Sequence, residues 1–182
     1  MLDAMSAEQR LAATVPQPRD PAEPYRICMV CLGNICRSPT AEVVLREELR
    51  RAGLDGKVLV DSAGTGDWHL HEPMHPSARA ELSRRGLDGS GHRARRIERS
   101  WLPGYDLLLA MDGRNLAGLQ RMAAGRDDLA GRIRLLRAFD PDSEPGADVP
   151  DPYEGSPEDF VLVYDLVEPA AREVARQLAE ML

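Results

Sequence analysis

From Tyr25 onward, short apolar runs alternate with longer stretches whose apolar residues recur every three to four positions. Ile27-Cys28-Met29-Val30 is an unbroken apolar run, the pattern of a strand buried on both faces, and residues 26–30 are predicted as the first strand. Gly33 and Asn34 break it. Ser38 suits an N-cap and Pro39 the first helical position, and Ala41, Val44, Leu45 and Leu49 carry a helical stripe that Gly53 ends. Further strands are predicted at 57–60, 105–111 and 132–136, and further helices at 77–85, 113–123 and 157–182. Pro169 falls inside the last helix and is expected to kink it. The segment 139–155, rich in proline and acidic residues, reads as a loop. Strands alternating with helices imply an α/β fold: a doubly wound parallel sheet with helices on both faces.

Pro16, Pro18, Pro21 and Pro24 punctuate a start with weak periodicity, so residues 1–24 are expected to be a disordered or loosely packed tail and 25–182 the folded domain. At 182 residues, with 43 % apolar and 29 % charged positions, the chain has the composition of a soluble domain with a proper core. A formal net charge of −7 argues against general nucleic-acid or membrane-surface binding, so an anion must be captured locally. No apolar run is long enough to span a membrane, and no secretory signal is visible at the start. The three cysteines, Cys28, Cys31 and Cys36, crowd into nine positions. That is no disulfide framework, and free thiols of this kind point to a reducing cytoplasm.

The chemistry concentrates in Cys31-Leu32-Gly33-Asn34-Ile35-Cys36-Arg37-Ser38, a Cys-x5-Arg loop between a buried strand and a helix start. In a doubly wound fold this is the edge where ligands bind. A tight loop closing on a helix N-terminus turns its N–H groups inward and makes a nest for a tetrahedral anion. Gly33 is expected to supply the unusual backbone geometry, and the Arg37 fork can hold two oxygens of a phosphate. A thiol at the mouth of such a positive field, as Cys31 is, forms the nucleophilic thiolate more readily. Asn34 can brace the loop, and Ser38 can donate to the sulfur, cap the helix, or do both. Cys31 and Cys36 stand at the two ends of the loop, a spacing that suggests a reversible disulfide under peroxide, with Cys28 turned to the opposite face.

Val30-Cys31-Leu32-Gly33-Asn34-Ile35-Cys36-Arg37-Ser38-Pro39 closely resembles the signature of the low-molecular-weight protein tyrosine phosphatases, and Asp151-Pro152-Tyr153 resembles their late acid-bearing segment. Asp61-Ser62-Ala63-Gly64 and Ala110-Met111-Asp112 are also similar to the family. The resemblance implies a four-stranded phosphotyrosine phosphatase I-like fold and hydrolysis of phosphotyrosine and aryl phosphates through a cysteinyl-phosphate. It makes Cys31 the nucleophile, Arg37 the phosphate clamp and Asp151 the general acid. Leu32, Gly33, Asn34, Ile35, Cys36 and Ser38 complete the phosphate loop. Trp68 and Tyr153 wall the entrance, and His92 supports the loop structurally. No cofactor or metal is implied. The expected partners are a phosphotyrosine protein as substrate and inorganic phosphate as product, with no nucleic acid and no membrane. Where family members often have a second tyrosine, this chain has Glu154, which makes the rim more acidic.

His69, His71 and His75 cluster around Pro73, but with no cysteine near them they make a poor metal site. Arg84, Arg85, Arg93, Arg95, Arg96 and Arg99 read as a solvated face or as a steering patch for an acidic substrate. Three other activities compete. Arsenate reduction needs later cysteines that this chain lacks, and arginine phosphatases tend to have threonine where Ile35 stands. A silent phosphotyrosine-binding module would not need Cys31, Arg37 and Asp151 together.

Overall fold

A computed structural model describes residues 13–182. Four parallel strands run β1 (Tyr25–Cys31), β2 (Val58–Gly64), β3 (Leu107–Ala110) and β4 (Ile133–Leu135), in the spatial order β2-β1-β3-β4. Five helices cover them: α1 (Arg37–Arg51), α2 (Pro76–Arg84), α3 (Gly113–Met122), the single turn α4 (Asp127–Ala130) and α5 (Pro157–Met181). The expected doubly wound sheet is therefore present.

The alternation of β1 sorts its side chains between two cores. Ile27, Met29 and Cys31 face the larger one, with Leu45 and Leu49 of α1 and Val163, Val167 and Val174 of α5. Cys28 and Val30 face the smaller one, with Ile97, Leu102 and Leu119. The chain places β2 on one side of β1 and β3 on the other. Such a change of winding direction opens a crevice at the strand's carboxyl end, where Cys31 lies.

β2 runs further than the apolar pattern indicated and takes in Asp61–Gly64, because Ser62, Ala63 and Gly64 pair with Met29, Val30 and Cys31. A Cβ at position 64 would lie 2.5 Å from the Leu32 carbonyl oxygen, so only glycine lets the following loop pass. α1 begins at Arg37, one residue before the expected cap. Cys36 occupies the N-cap without a side-chain bond, and the Ser38 hydroxyl is turned elsewhere. α5 runs unbroken through Pro169 to Met181, with Val167, Ala170, Ala171 and Val174 buried on either side of the proline. Burial of that face outweighs the one backbone bond a proline removes.

The tail boundary at residue 24 needs correcting for residues 13–24, which are held against the domain. Val15 is 4 % exposed and joins the larger core. Gln177 of α5 donates to the Ala13 carbonyl and accepts from the Val15 N–H, and the Tyr25 hydroxyl donates to the Pro16 carbonyl. Asp106 accepts from the N–H groups of Arg19 and Arg26. One buried valine and paired backbone groups fix an extended segment without any periodicity to reveal it. The rest of the expected tail, residues 1–12, lies outside the described residues. Among the described residues no helix is long and apolar enough to cross a membrane.

Candidate active site

β1 delivers Cys31 to the carboxyl edge of the sheet, and residues 32–36 curl into the start of α1. The strained residue of this loop is Asn34, at φ 57°, and not Gly33 as the sequence suggested. Asparagine tolerates the left-handed region, and here every polar group of the residue is used. Its N–H points to the Cys31 sulfur at 3.3 Å, and its amide donates to the Ser38 and Ser62 hydroxyls, both at 2.9 Å. Its side-chain oxygen accepts from the Arg95 N–H, and its carbonyl meets His92 Nε2 at 2.6 Å. Gly33 serves for space: a Cβ there would approach His69 Cδ2 to 3.0 Å.

The Ser38 hydroxyl lies 3.0 Å from the Cys31 sulfur and is not a helix cap. The Asn34 N–H points at the same sulfur, and the Ser38 hydroxyl also lies 3.4 Å from the Ala63 carbonyl. Arg37 is 2 % exposed. Its Nη1 donates to Asp112 at 2.6 Å and to the Val149 carbonyl at 3.2 Å, and its Nη2 lies 3.3 Å from Asp151. Burial works against the guanidinium charge, but Cys31, Asp112 and Asp151 outweigh it and hold Arg37 protonated more firmly than usual. The Cys36 thiol is pushed up to about 12, by burial first and then by the neighbouring charges of Cys31 and Asp151. Cys28 is also raised, again mainly by burial, and belongs to the opposite core.

Asp151 reaches the site from a long loop pinned at its base, where the Val149 N–H donates to the Met111 carbonyl at 2.7 Å. Its side chain is 46 % exposed. Leu32, Trp68, Asp151 and Tyr153 rise around Cys31 and Arg37 to enclose a cavity of about 380 Å³. Trp68 is 70 % exposed and Tyr153 47 %, so both rings of the cavity lining reach solvent. His92 lies behind the loop, and burial lowers its pKa against the counter-effect of its bond to Asn34, with Arg93, Arg46 and Arg95 adding to the lowering.

Every residue singled out from the sequence for the site lies in the cavity or directly behind it. Four contributors had no role assigned to them. Asp112 both holds Arg37 and caps α3 through the Asn115 N–H, and its signal was its position directly after the strand predicted at 105–111. Ser62 and Glu42 extend the Asn34 network, since the Ser62 hydroxyl donates to Glu42. His69 lines the cavity while its Nδ1 meets Glu72 at 2.7 Å. Four of the six arginines read as a solvated face or steering patch are paired with acids: Arg84 and Arg85 with Glu81, Arg95 with Asp61 and Arg96 with Asp67.

Residues 26–182 match the model of a family described as low molecular weight phosphotyrosine protein phosphatase. A low molecular weight protein-tyrosine-phosphatase of Streptomyces coelicolor is 43 % identical over 159 residues, covering 87 % of this chain and 96 % of the relative. The crystal structure of YfkJ from Bacillus subtilis superposes with a TM-score of 0.80 at 34 % identity, over 88 % of this chain and 98 % of that one. A protein tyrosine phosphatase from Entamoeba histolytica, crystallised with Hepes in its active site, gives a TM-score of 0.80 at 30 % identity, covering 86 % and 97 %.

Proposed function

Since the chain belongs to the low molecular weight phosphotyrosine protein phosphatase family, we propose that this phosphoric monoester hydrolase acts on phosphotyrosine by way of a cysteinyl-phosphate on Cys31. The observation that carries the reading is the meeting of three groups in one cavity. The Cys31 sulfur lies beside the Asn34 N–H and the Ser38 hydroxyl, the Arg37 fork lines the same cavity, and Asp151 is 3.3 Å from that fork. A phosphate seated in the loop takes its equatorial oxygens to the backbone N–H groups and Arg37. Sulfur attacks phosphorus opposite the ester oxygen. The S–P bond forms, the P–O bond breaks, and Asp151 passes its proton to the departing phenol oxygen. Water then attacks the phosphocysteine, Asp151 takes a proton from it, and phosphate leaves. The rings of Trp68 and Tyr153 flank the path of a phenyl group, which favours an aryl ester over the short side chain of phosphoserine.

An acid-quenched reaction with an aryl phosphate is expected to leave phosphate covalently on the peptide that contains Cys31, and Cys31→Ser is expected to lose both label and turnover while keeping its fold. Asp151→Ala is expected to slow phosphotyrosine hydrolysis by about 10²–10⁴-fold, the usual worth of general acid catalysis. Turnover by a clean Cys31→Ser preparation close to the wild-type rate would sink the reading.

A further inference from the structure

Beyond Val149, the acid loop meets the rest of the described structure at Asp151, through Arg37, and at Tyr153, through two imidazole rings. The ring of His69 lies 5.5 Å from that of Tyr153, tilted by 54°, and the ring of His75 lies 5.9 Å from it, edge-on at 71°. His75 also stacks on Phe160 in the first turn of α5, at 4.9 Å and 21°. Its Nδ1 accepts from the Ser77 N–H and caps α2, and its own backbone N–H donates to the Ile35 carbonyl within the phosphate loop at 2.8 Å. One residue therefore touches the phosphate loop through its backbone and the acid loop through its ring.

We infer that His75, seconded by His69, is a positioning residue that fixes the Asp151-Pro152-Tyr153 loop against the phosphate loop through the Tyr153 ring. The inference rests on the proposed role of Asp151 and adds what aims it. A donor must be within hydrogen-bond reach of the ester oxygen, and a misplacement of about 1 Å costs up to roughly 10²-fold. Asp151 is half exposed and Pro150, Tyr153 and Glu154 face solvent, so of residues 150–154 only Pro152 is buried. The two rings, meeting Tyr153 at the tilted and edge-on angles that aromatic groups prefer, add to the hold of buried Pro152 and of Arg37 on Asp151 a constraint on the far side of Pro152. The cap by His75 uses Nδ1 as an acceptor, which requires the neutral ring. Burial, with the adjacent His69, lowers the His75 pKa and keeps it in that form.

The two jobs of His75 separate by substitution. His75→Asn keeps a cap acceptor for Ser77 and removes the ring, whereas His75→Phe keeps a ring between Tyr153 and Phe160 and removes the cap. With phosphotyrosine, whose leaving group needs a proton, His75→Asn is expected to lose about tenfold in kcat. With a dinitrophenyl phosphate, whose leaving group departs unaided, it is expected to lose less than about twofold. His75→Phe is expected to recover most of the phosphotyrosine rate despite a lower Tm. Asp151→Asn, run alongside, reads the acid's role by itself: equal losses on both substrates there would overturn the role given to Asp151. With Asp151→Asn behaving as a lost acid, the inference fails if His75→Asn is unchanged, loses equally on both substrates, or is matched by His75→Phe. His75→Gln replaces His75→Asn in the same comparison should the latter not fold.

Discussion

The phosphate loop and the acid loop face each other across one cavity and are built in opposite ways. Asn34, Arg37 and Ser38 are buried, and each makes several hydrogen bonds to residues of other elements. Asp151, between Pro150 and Pro152, and Tyr153, directly after them, stand half in solvent. The difference follows from what each side handles. An anion bound without water demands donors already in place, because reorganising them during reaction costs rate. A tyrosine side chain arriving on another protein demands an opening, and an opening forbids burial. Rigidity on the substrate-facing side must then come from a few contacts at the rim, which is the part His69 and His75 are positioned to play.

The hardest blow to the rigid side is Arg37→Lys. One ammonium on a flexible stem cannot satisfy Asp112, the Val149 carbonyl and a phosphate at once, as the guanidinium fork does. Turnover of an aryl phosphate is expected to fall by about 10²–10³-fold, the scale seen when a preorganised donor is lost. Inhibition by inorganic phosphate is expected to weaken in parallel. A variant that stays within a few-fold of wild type on both measures would show that the cradle does not depend on a fork.

The same contrast explains what could be read in advance. β1 announced itself because a strand buried on both faces is continuously apolar, and Cys31 and Arg37 because a loop between strand and helix leaves little freedom in its composition. The strained position was assigned to Gly33, since glycine is the usual bearer of positive φ, yet Asn34 holds it through five hydrogen bonds that only the folded arrangement reveals. Asp112 stood in a segment similar to the family, Ala110-Met111-Asp112, but its role did not show, because only the fold reveals that one carboxylate both caps α3 and holds Arg37. Residues 13–24 were invisible because a proline-rich segment docked by Val15 and backbone pairing has no period. His69 and His75 showed up only as a histidine cluster without metal spacing, since ring contacts between residues so far apart along the chain leave no mark on local sequence.

A gentler probe of the rigid side is oxidation. Peroxide attacks a thiolate in preference to a thiol, so Cys31, the nucleophile of the proposed reaction, is the expected target and Cys36, raised to about 12, is not. Attack leaves Cys31 as a neutral sulfenic acid, which removes one of the charges that raise Cys36. Cys36 then closes on the sulfenic sulfur and water departs. Cys28 is excluded by its place in the opposite core. Wild-type enzyme inactivated by mild peroxide is expected to recover most of its activity with a thiol reductant, and phosphate is expected to slow the inactivation. Cys36→Ser is expected to start active but to regain little, because its sulfenic acid oxidises further. Equal recovery by both proteins would remove Cys36 from the pathway.

The smallest effect expected is a change in how stability depends on pH, and it singles out His92 behind the loop. In the folded chain burial depresses its pKa, with Arg93, Arg46 and Arg95 pushing the same way, and its bond to the Asn34 carbonyl opposes them only in part. In the unfolded chain the ring titrates near the ordinary 6.5. The unfolded state therefore binds the proton first as pH falls. The contribution of a neutral His92 is fully present above about pH 6.5 and is lost as pH drops through the lower folded value. Tm measured from pH 7.5 downward is expected to decline below about 6.5, each kcal/mol corresponding to roughly 2–4 °C for a chain of this size. His92→Gln keeps an N–H to donate to Asn34 but has no proton to take up, so its decline over the same interval is expected to be shallower. His75, depressed in the same direction, and Glu42, raised by burial, titrate in both proteins, so the difference between the two curves isolates His92. Parallel curves for wild type and His92→Gln would mean that the ring exchanges no proton linked to folding, and that its place behind the phosphate loop is held by the hydrogen bond alone.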